Sequence, residues 1–146
     1  MADKFTKQGK ALDLGAGDFS DVEMMKKLGW QCEGVDLSIG TNLEENYFSP
    51  GAPFDFVCSN HVLHFLKNKK TLVESAYNNL KVGGIFFFQD LERSDLTTDM
   101  YFSEREMKQL IKEVGFKIIE SHKSSFFDDK PDHMHWHDII EIVAER

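Results

Sequence analysis

Lys10-Ala11-Leu12-Asp13-Leu14-Gly15-Ala16-Gly17-Asp18-Phe19-Ser20 is the stretch that decides how this chain folds. A short apolar run stops at Gly15-Ala16-Gly17, after which Phe19, Val22, Met25 and Leu28 recur at helical spacing. The parse is strand, turn, helix. Asp21 and Glu23 fall near the helix start, Lys26 and Lys27 in its last turn and Gly29 just beyond it, which suits both the helix dipole and a glycine stop. Glycines in the turn let a ligand approach bare backbone, and the helix behind them presents free N–H groups.

A second strand, Gln31 to Asp36, follows almost at once and ends on an acid 19 residues past Gly17. There a carboxylate can accept hydrogen bonds from both ribose hydroxyls of an adenosine, so turn and acid together define a nucleoside site. The third glycine of a dinucleotide fingerprint is missing, because Phe19 and Ser20 stand where it would fall. Asp13 before the turn and Asp18 after it suit a cofactor carrying a sulfonium and an ammonium better than one carrying two phosphates. S-adenosyl-L-methionine is therefore the expected cofactor, and a NAD-dependent oxidoreductase is the weaker reading.

Beyond Asp36 an irregular stretch, Ser38 to Pro53, holds two of the three prolines and shows no helix. Phe54 to Ser59 is a third apolar run, Lys69 to Leu80 reads as a helix, and Gly83-Gly84 opens the strand-like run Ile85 to Phe88. Ser103-Glu104-Arg105-Glu106 is a capping box ahead of Met107, Leu110, Ile111 and Val114, with Gly115 as the stop. Phe116 to Glu120 and Ile139 to Ala144 supply two final strands able to pair antiparallel. Alternating strands and helices predict an α/β fold: a three-layer, Rossmann-like sandwich whose mostly parallel sheet carries an antiparallel C-terminal strand. Ligands in such sheets bind beyond the C-terminal strand ends.

The 146 residues correspond to a single domain, 1–146, of ordinary globular composition, with 41% hydrophobic and 29% charged residues. A formal net charge of −8 argues against phosphate-backbone binding, so no nucleic acid partner is expected, and no membrane span is evident. Cys32 and Cys58 sit inside apolar runs and read as buried thiols in a reducing compartment. The first residues lack the apolar core of a signal peptide, which makes a cytoplasmic location the expectation.

Four stretches in order resemble the class I S-adenosylmethionine-dependent methyltransferases. Ala11 to Asp18 looks like the family's first motif and Gly34-Val35-Asp36-Leu37-Ser38 like its second. Phe54 to Leu66 is similar to its fourth-strand segment, and Leu80-Lys81-Val82-Gly83-Gly84-Ile85-Phe86 to its approach to the fifth. The nearest flavour is the small-molecule, tellurite-resistance-type enzymes, whose post-strand segment reads like Val62-Leu63-His64; the signature of amino-group DNA methyltransferases is absent. The resemblance implies that Gly15, Ala16 and Gly17 pass under the cofactor, with Asp13 beside them, while Asp36 holds the ribose and Leu37 packs on the adenine. It also implies that Ser59 and Asn60 face the methionine end. Only 17 residues separate Asp36 from Phe54, where the family fits a third strand and helices. Thr41-Asn42-Leu43 is read as a remnant of that strand, with Asn42 at the adenine amino group. The N-terminal helices that cover the cofactor in many relatives are missing from the sequence pattern.

All six histidines fall just after the fourth-strand segment or between the last two strands. Histidine titrates in the range of a general base, and His64, His135 and His137 are the catalytic candidates. His61, Asp90 and Trp136 are the expected acceptor-binding residues. His133, His135 and His137 alternate, a pattern open to a metal, a substrate pocket or a merely polar hairpin; no metal is expected there. Leu91 to Phe102 and Ser124 to Asp132 are long enough to close over the site as lids. A homodimer, in which a second copy supplies the cover, is the other route. The expected activity is methyl transfer to a small-molecule acceptor, with a non-catalytic S-adenosylmethionine-binding partner or regulatory subunit as the alternative.

Overall fold

The structure is a computed structural model that describes residues 8–92, 102–132 and 134–146, the side chain of His135 excepted. In chain order it contains β1 (Lys10–Leu14), α1 (Ser20–Lys27), β2 (Gln31–Val35), β3 (Phe54–Asn60), α2 (Lys69–Asn79), β4 (Leu80–Leu91), α3 (Glu104–Val114), β5 (Lys117–Asp128) and β6 (His135–Glu145). Single 3-10 turns at Leu37–Ile39 and Leu63–Phe65 follow β2 and β3. The strands form one sheet ordered β2-β1-β3-β4-β6-β5. β1, β2, β3 and β4 run parallel, and β6 is antiparallel to both its neighbours. The α/β expectation, including the antiparallel C-terminal strand, is met.

Central strands read as unbroken apolar runs because both of their faces are covered. Leu12, Leu14, Phe86, Phe88, Ile140 and Ile142 join α2 and α3 in the main core, while Ala11, Ala16, Val22 and Cys32 form a smaller core under α1. A Cβ at Gly34 would lie 2.7 Å from Val22 and 2.8 Å from the Ala16 methyl, so this glycine is what lets α1 settle on β2. The capping box of α3 is complete: Glu106 N–H donates to Ser103 Oγ, and Ser103 N–H donates to the Glu106 carboxylate.

Thr41-Asn42-Leu43 is not a strand remnant. Asn42 Oδ1 accepts the Glu44 N–H at 3.1 Å, a local turn that competes with extended pairing. The irregular segment is instead held by α2. Tyr47 N–H donates to Ser75 Oγ at 2.9 Å, Ser49 N–H to Asn79 Oδ1 at 2.8 Å, and Asn79 Nδ2 to the Tyr47 carbonyl at 2.8 Å. These bonds explain why Ser75 and Asn79 are buried.

The last two strands also run further than the sequence pattern suggests. β5 and β6 continue to Asp128 and His135, so the expected lid Ser124 to Asp132 is for the most part a strand within a long hairpin. Edge-to-face packing of Phe127 on Trp136, at 5.6 Å, supports pairing out to the hairpin end. Most of the other lid expectation, residues 93–101, lies outside the described residues, as does His133. Among the described residues no helix is long and apolar enough to cross a membrane.

Candidate active site

A cavity of about 500 Å³ opens beyond the C-terminal ends of β1, β2 and β3, lined among others by Gly15, Gly17, Asp36, Leu37, Asn42 and Asn60. Its floor is the glycine turn. Gly15 has φ +90, and a Cβ there would stand 2.2 Å from Val62 Cγ2, so the segment after β3 rests directly on the turn. The Gly15 and Ala16 N–H groups both donate to the Val35 carbonyl, at 2.8 and 2.9 Å, locking the turn to β2. Gly15→Ala is accordingly expected to cost about 2 kcal/mol in a denaturation experiment, from a strained φ plus displacement of Val62. A loss below a few tenths of a kcal/mol would show that Val62 moves aside freely.

Asp36 ends β2 with its carboxylate organised by backbone. Ser38 N–H donates to Oδ1 at 2.9 Å and Gly17 N–H to Oδ2 at 3.1 Å. The Ser38 contacts first, then that of Gly17, hold this carboxyl below the usual carboxylate range. Each oxygen still has acceptor capacity for a ligand hydroxyl. Beside it, Leu37 is 73% exposed, and Phe65 in the segment after β3 is 67% exposed. Both line the cavity and offer apolar surface to a planar ring.

Val62, Phe65, Leu66, Thr41, Leu43 and Glu44 complete the walls, and the sequence alone marks none of them as a cavity residue. Glu44 accepts the Lys67 N–H at 2.8 Å and the Asn68 N–H at 3.0 Å, which ties the irregular segment to the start of α2 and keeps its carboxyl below the usual range. Such a contact between residues more than twenty positions apart has no local sequence signature. Exposed Phe65, within the motif-like Val62-Leu63-His64-Phe65-Leu66, is the one available hint.

The opposite wall is polar. Asn60 Nδ2 donates to Asp21 Oδ2 at 3.3 Å, fixing the amide. Asn60 Oδ1, Ser59 Oγ and Asp13 Oδ1 are buried with no hydrogen-bond partner among the described residues. Asn60 lines the cavity, whereas Ser59, Ala16 and Asp13 are buried next to lining residues in the chain and do not themselves line it. Burial pushes the Asp13 carboxyl up to about 6, helped by the neighbouring carboxylates of Asp21 and Asp36. Unpaired buried oxygens and clustered carboxylates fit a ligand that brings N–H donors and positive charge.

His61 lines the cavity with a left-handed backbone, φ 55, and its N–H donates to the Gln89 carbonyl at 2.8 Å. A non-glycine residue in that region is uncommon, and such strain clusters at functional sites. His64 does not line the cavity. Its side chain is buried, with Nδ1 2.5 Å from Asp90 Oδ1, and its backbone N–H donates to Asp90 Oδ2 at 3.2 Å. Asp90, fully buried near the end of β4, is likewise off the cavity wall and also accepts the Leu91 N–H at 2.7 Å.

Of the hairpin candidates, the side chains of His137 and Trp136 do not line this cavity. His137 is buried, its ring 5.0 Å from that of Phe126 and its Nε2 3.6 Å from Asp128 Oδ2. Trp136 is exposed on the opposite face of β6. His135 pairs through its backbone with Asp128. Among the described residues no group of three His, Cys, Asp or Glu side chains is arranged to hold a metal ion.

A family model described as "Methyltransferase domain" matches residues 1–121. The chain belongs to the methyltransferase-domain family. An uncharacterized protein of Methanocaldococcus jannaschii is 32% identical over 148 residues, which cover 86% of this chain and 72% of that protein. Among solved structures, TehB from Haemophilus influenzae superposes with a TM-score of 0.75 at 19% identity, covering 99% of this chain and 60% of that one. A 1,6-didemethyltoxoflavin-N1-methyltransferase of Burkholderia thailandensis, solved with that compound and S-adenosylhomocysteine, gives 0.74 at 18% identity and covers 99% and 73%. At these identities the two structures establish the shared methyltransferase fold. The family's methyl donor is S-adenosylmethionine.

Proposed function

We propose that this methyltransferase transfers a methyl group from S-adenosylmethionine to a small-molecule acceptor. The observation that carries the reading is the cavity built from the glycine turn and Asp36 at the C-terminal ends of the first strands. Its volume lies within the range of small-molecule sites, and its acids and unpaired oxygens suit a cationic donor. Asp36 accepts the ribose hydroxyls, Leu37 and Phe65 flank the adenine, Asn42 lies at the adenine end, and Asn60 faces the methionine end. Asp13, Ala16 and Ser59 support that wall from behind.

The bound donor supplies an activated methyl on sulfur; what the chain must add is alignment, plus a base where the acceptor carries a proton. His61 is the histidine placed on the wall to meet an acceptor. His64, held by Asp90, positions the segment that carries Val62 and Phe65. The hairpin, with His135, His137 and Trp136, rises from the same edge of the sheet, where it can border an acceptor in the filled site. That the Burkholderia enzyme was solved with a small heterocycle favours an acceptor of that scale. Two buried free thiols agree with a reducing, cytoplasmic setting.

Calorimetric titration with S-adenosylmethionine and S-adenosylhomocysteine, with NADH as control, tests the reading. Both adenosyl ligands are expected to bind, and Asp36→Ala to weaken them about 30-fold, equivalent to about 2 kcal/mol for a lost charge-assisted partner. Heat from NADH alone would overturn the assignment.

A further inference from the structure

The buried acid before the glycine turn has no countercharge among the described residues. Asp13 is 3% exposed, and its register partners are Gly34 on β2 and Cys58 on β3. The titratable groups facing it are Asp21 from α1, Asp36 after β2, Cys32 on β2 and Cys58 on β3, which amounts to two carboxylates and two thiols. The Cys58 thiol on the neighbouring strand partly offsets the rise, yet Oδ1 keeps no hydrogen-bond partner among the described residues. A carboxyl in such a place holds its proton more tightly than a free one does, and an incoming positive charge favours its release.

We infer that binding of the methyl donor drives ionisation of Asp13, so that the ligand's positive charge enters as a proton leaves. The inference rests on the cofactor reading above and adds a coupling to it. The donor carries an ammonium and a sulfonium, whereas its demethylated product keeps only the ammonium. Asp13 therefore acts as an electrostatic positioning residue that ties donor affinity to pH. The free carboxyl, pushed up to about 6, is mostly protonated in mildly acidic solution and mostly ionised at neutrality. If only the ionised form binds well, apparent affinity falls about 4-fold between pH 7.5 and pH 5.5.

The test is calorimetric titration of the whole chain with S-adenosylmethionine, and in parallel with S-adenosylhomocysteine, at pH 5.5 and pH 7.5. Running each in two buffers of different ionisation enthalpy counts protons. Release of about 0.7 proton per donor bound is expected at pH 5.5, falling below about 0.1 at pH 7.5, and Asp13→Asn is expected to abolish the difference. Equal release with both ligands assigns the coupling to the ammonium, and release with the donor alone to the sulfonium; either supports the inference. Binding without release at pH 5.5, or release that persists in Asp13→Asn, overturns it while leaving the cofactor reading intact. Absence of binding to either ligand overturns both. Should Asp13→Asn fail to fold, carboxyl-carbon NMR of the wild-type chain gives the same answer: the Asp13 signal must move to its ionised position at pH 5.5 when S-adenosylmethionine is added, and an unmoved signal overturns the inference.

Discussion

His64→Ala is expected to destabilise the fold by about 3–5 kcal/mol, one of the largest single-residue losses in the chain. His64 Nδ1 lies 2.5 Å from Asp90 Oδ1, and Asp90 is fully buried. Removing the imidazole leaves a buried carboxylate whose remaining support among the described residues is the backbone N–H groups of residue 64 and Leu91. It also opens a void in the 3-10 turn that contains Phe65 and follows Val62, both of which line the cavity. A thermal melt should show a drop of about 10 °C for a chain of this size, and S-adenosylmethionine binding should weaken with it. Asp90→Asn, which keeps a polar side chain of the same size beside Nδ1, is expected to cost less than His64→Ala. Replacing both partners by leucine should recover part of the loss, since no unpaired charge is then buried. If His64→Ala unfolds at the wild-type temperature, the pair is not what anchors this segment.

That pair also shows where sequence reading stops. His64 and Asp90 are each visible as polar residues next to apolar runs, so both read as site residues. Their mutual contact, across 26 positions and two elements, is not visible. The strand-turn-helix at Lys10 to Leu28 and the capped helix after Ser103 are legible because each is specified by residues within one or two turns. Asp36 is legible because a fixed count from the glycine turn places it at the end of the adjacent strand. The segment from Thr41 to Pro53 is legible only as irregular, since its geometry is imposed by Ser75 and Asn79 of a later helix. Hairpin length escapes the sequence pattern because Ser124 and Ser125 look like loop residues; the strands continue by cross-strand packing of Phe126 and Phe127 on His137 and Trp136. Cavity residues such as Glu44 and Leu66 come from the same kind of long-range closure.

Asp13→Asn is expected to make the ligand-free chain more stable at neutral pH, by about 2–3 kcal/mol, while impairing donor binding. The sign follows from which state holds the proton. Burial raises the folded-state carboxyl from 3.8 to about 6, so between those values the folded chain holds a proton that the unfolded chain has given up. Stability from this site is therefore full at about pH 4 and below, declines as pH rises toward 6, and stays lost above it, each tenfold change in proton affinity being equivalent to about 1.4 kcal/mol. Asparagine does not titrate and escapes that loss, less whatever its unmet amide hydrogens cost behind the turn. Melting temperatures of wild type and variant should thus separate by several degrees at pH 7 and converge near pH 4. A variant less stable than wild type at both pH values would mean that the carboxylate is stabilised in place and would remove the premise of proton-coupled binding. The expected pattern makes physical sense only if the acid serves a ligand. A buried carboxyl beside Asp21 and Asp36, with one oxygen unpartnered among the described residues, weakens the empty fold, and a cation that enters against all three carboxylates recovers in binding what the fold gives up at this position.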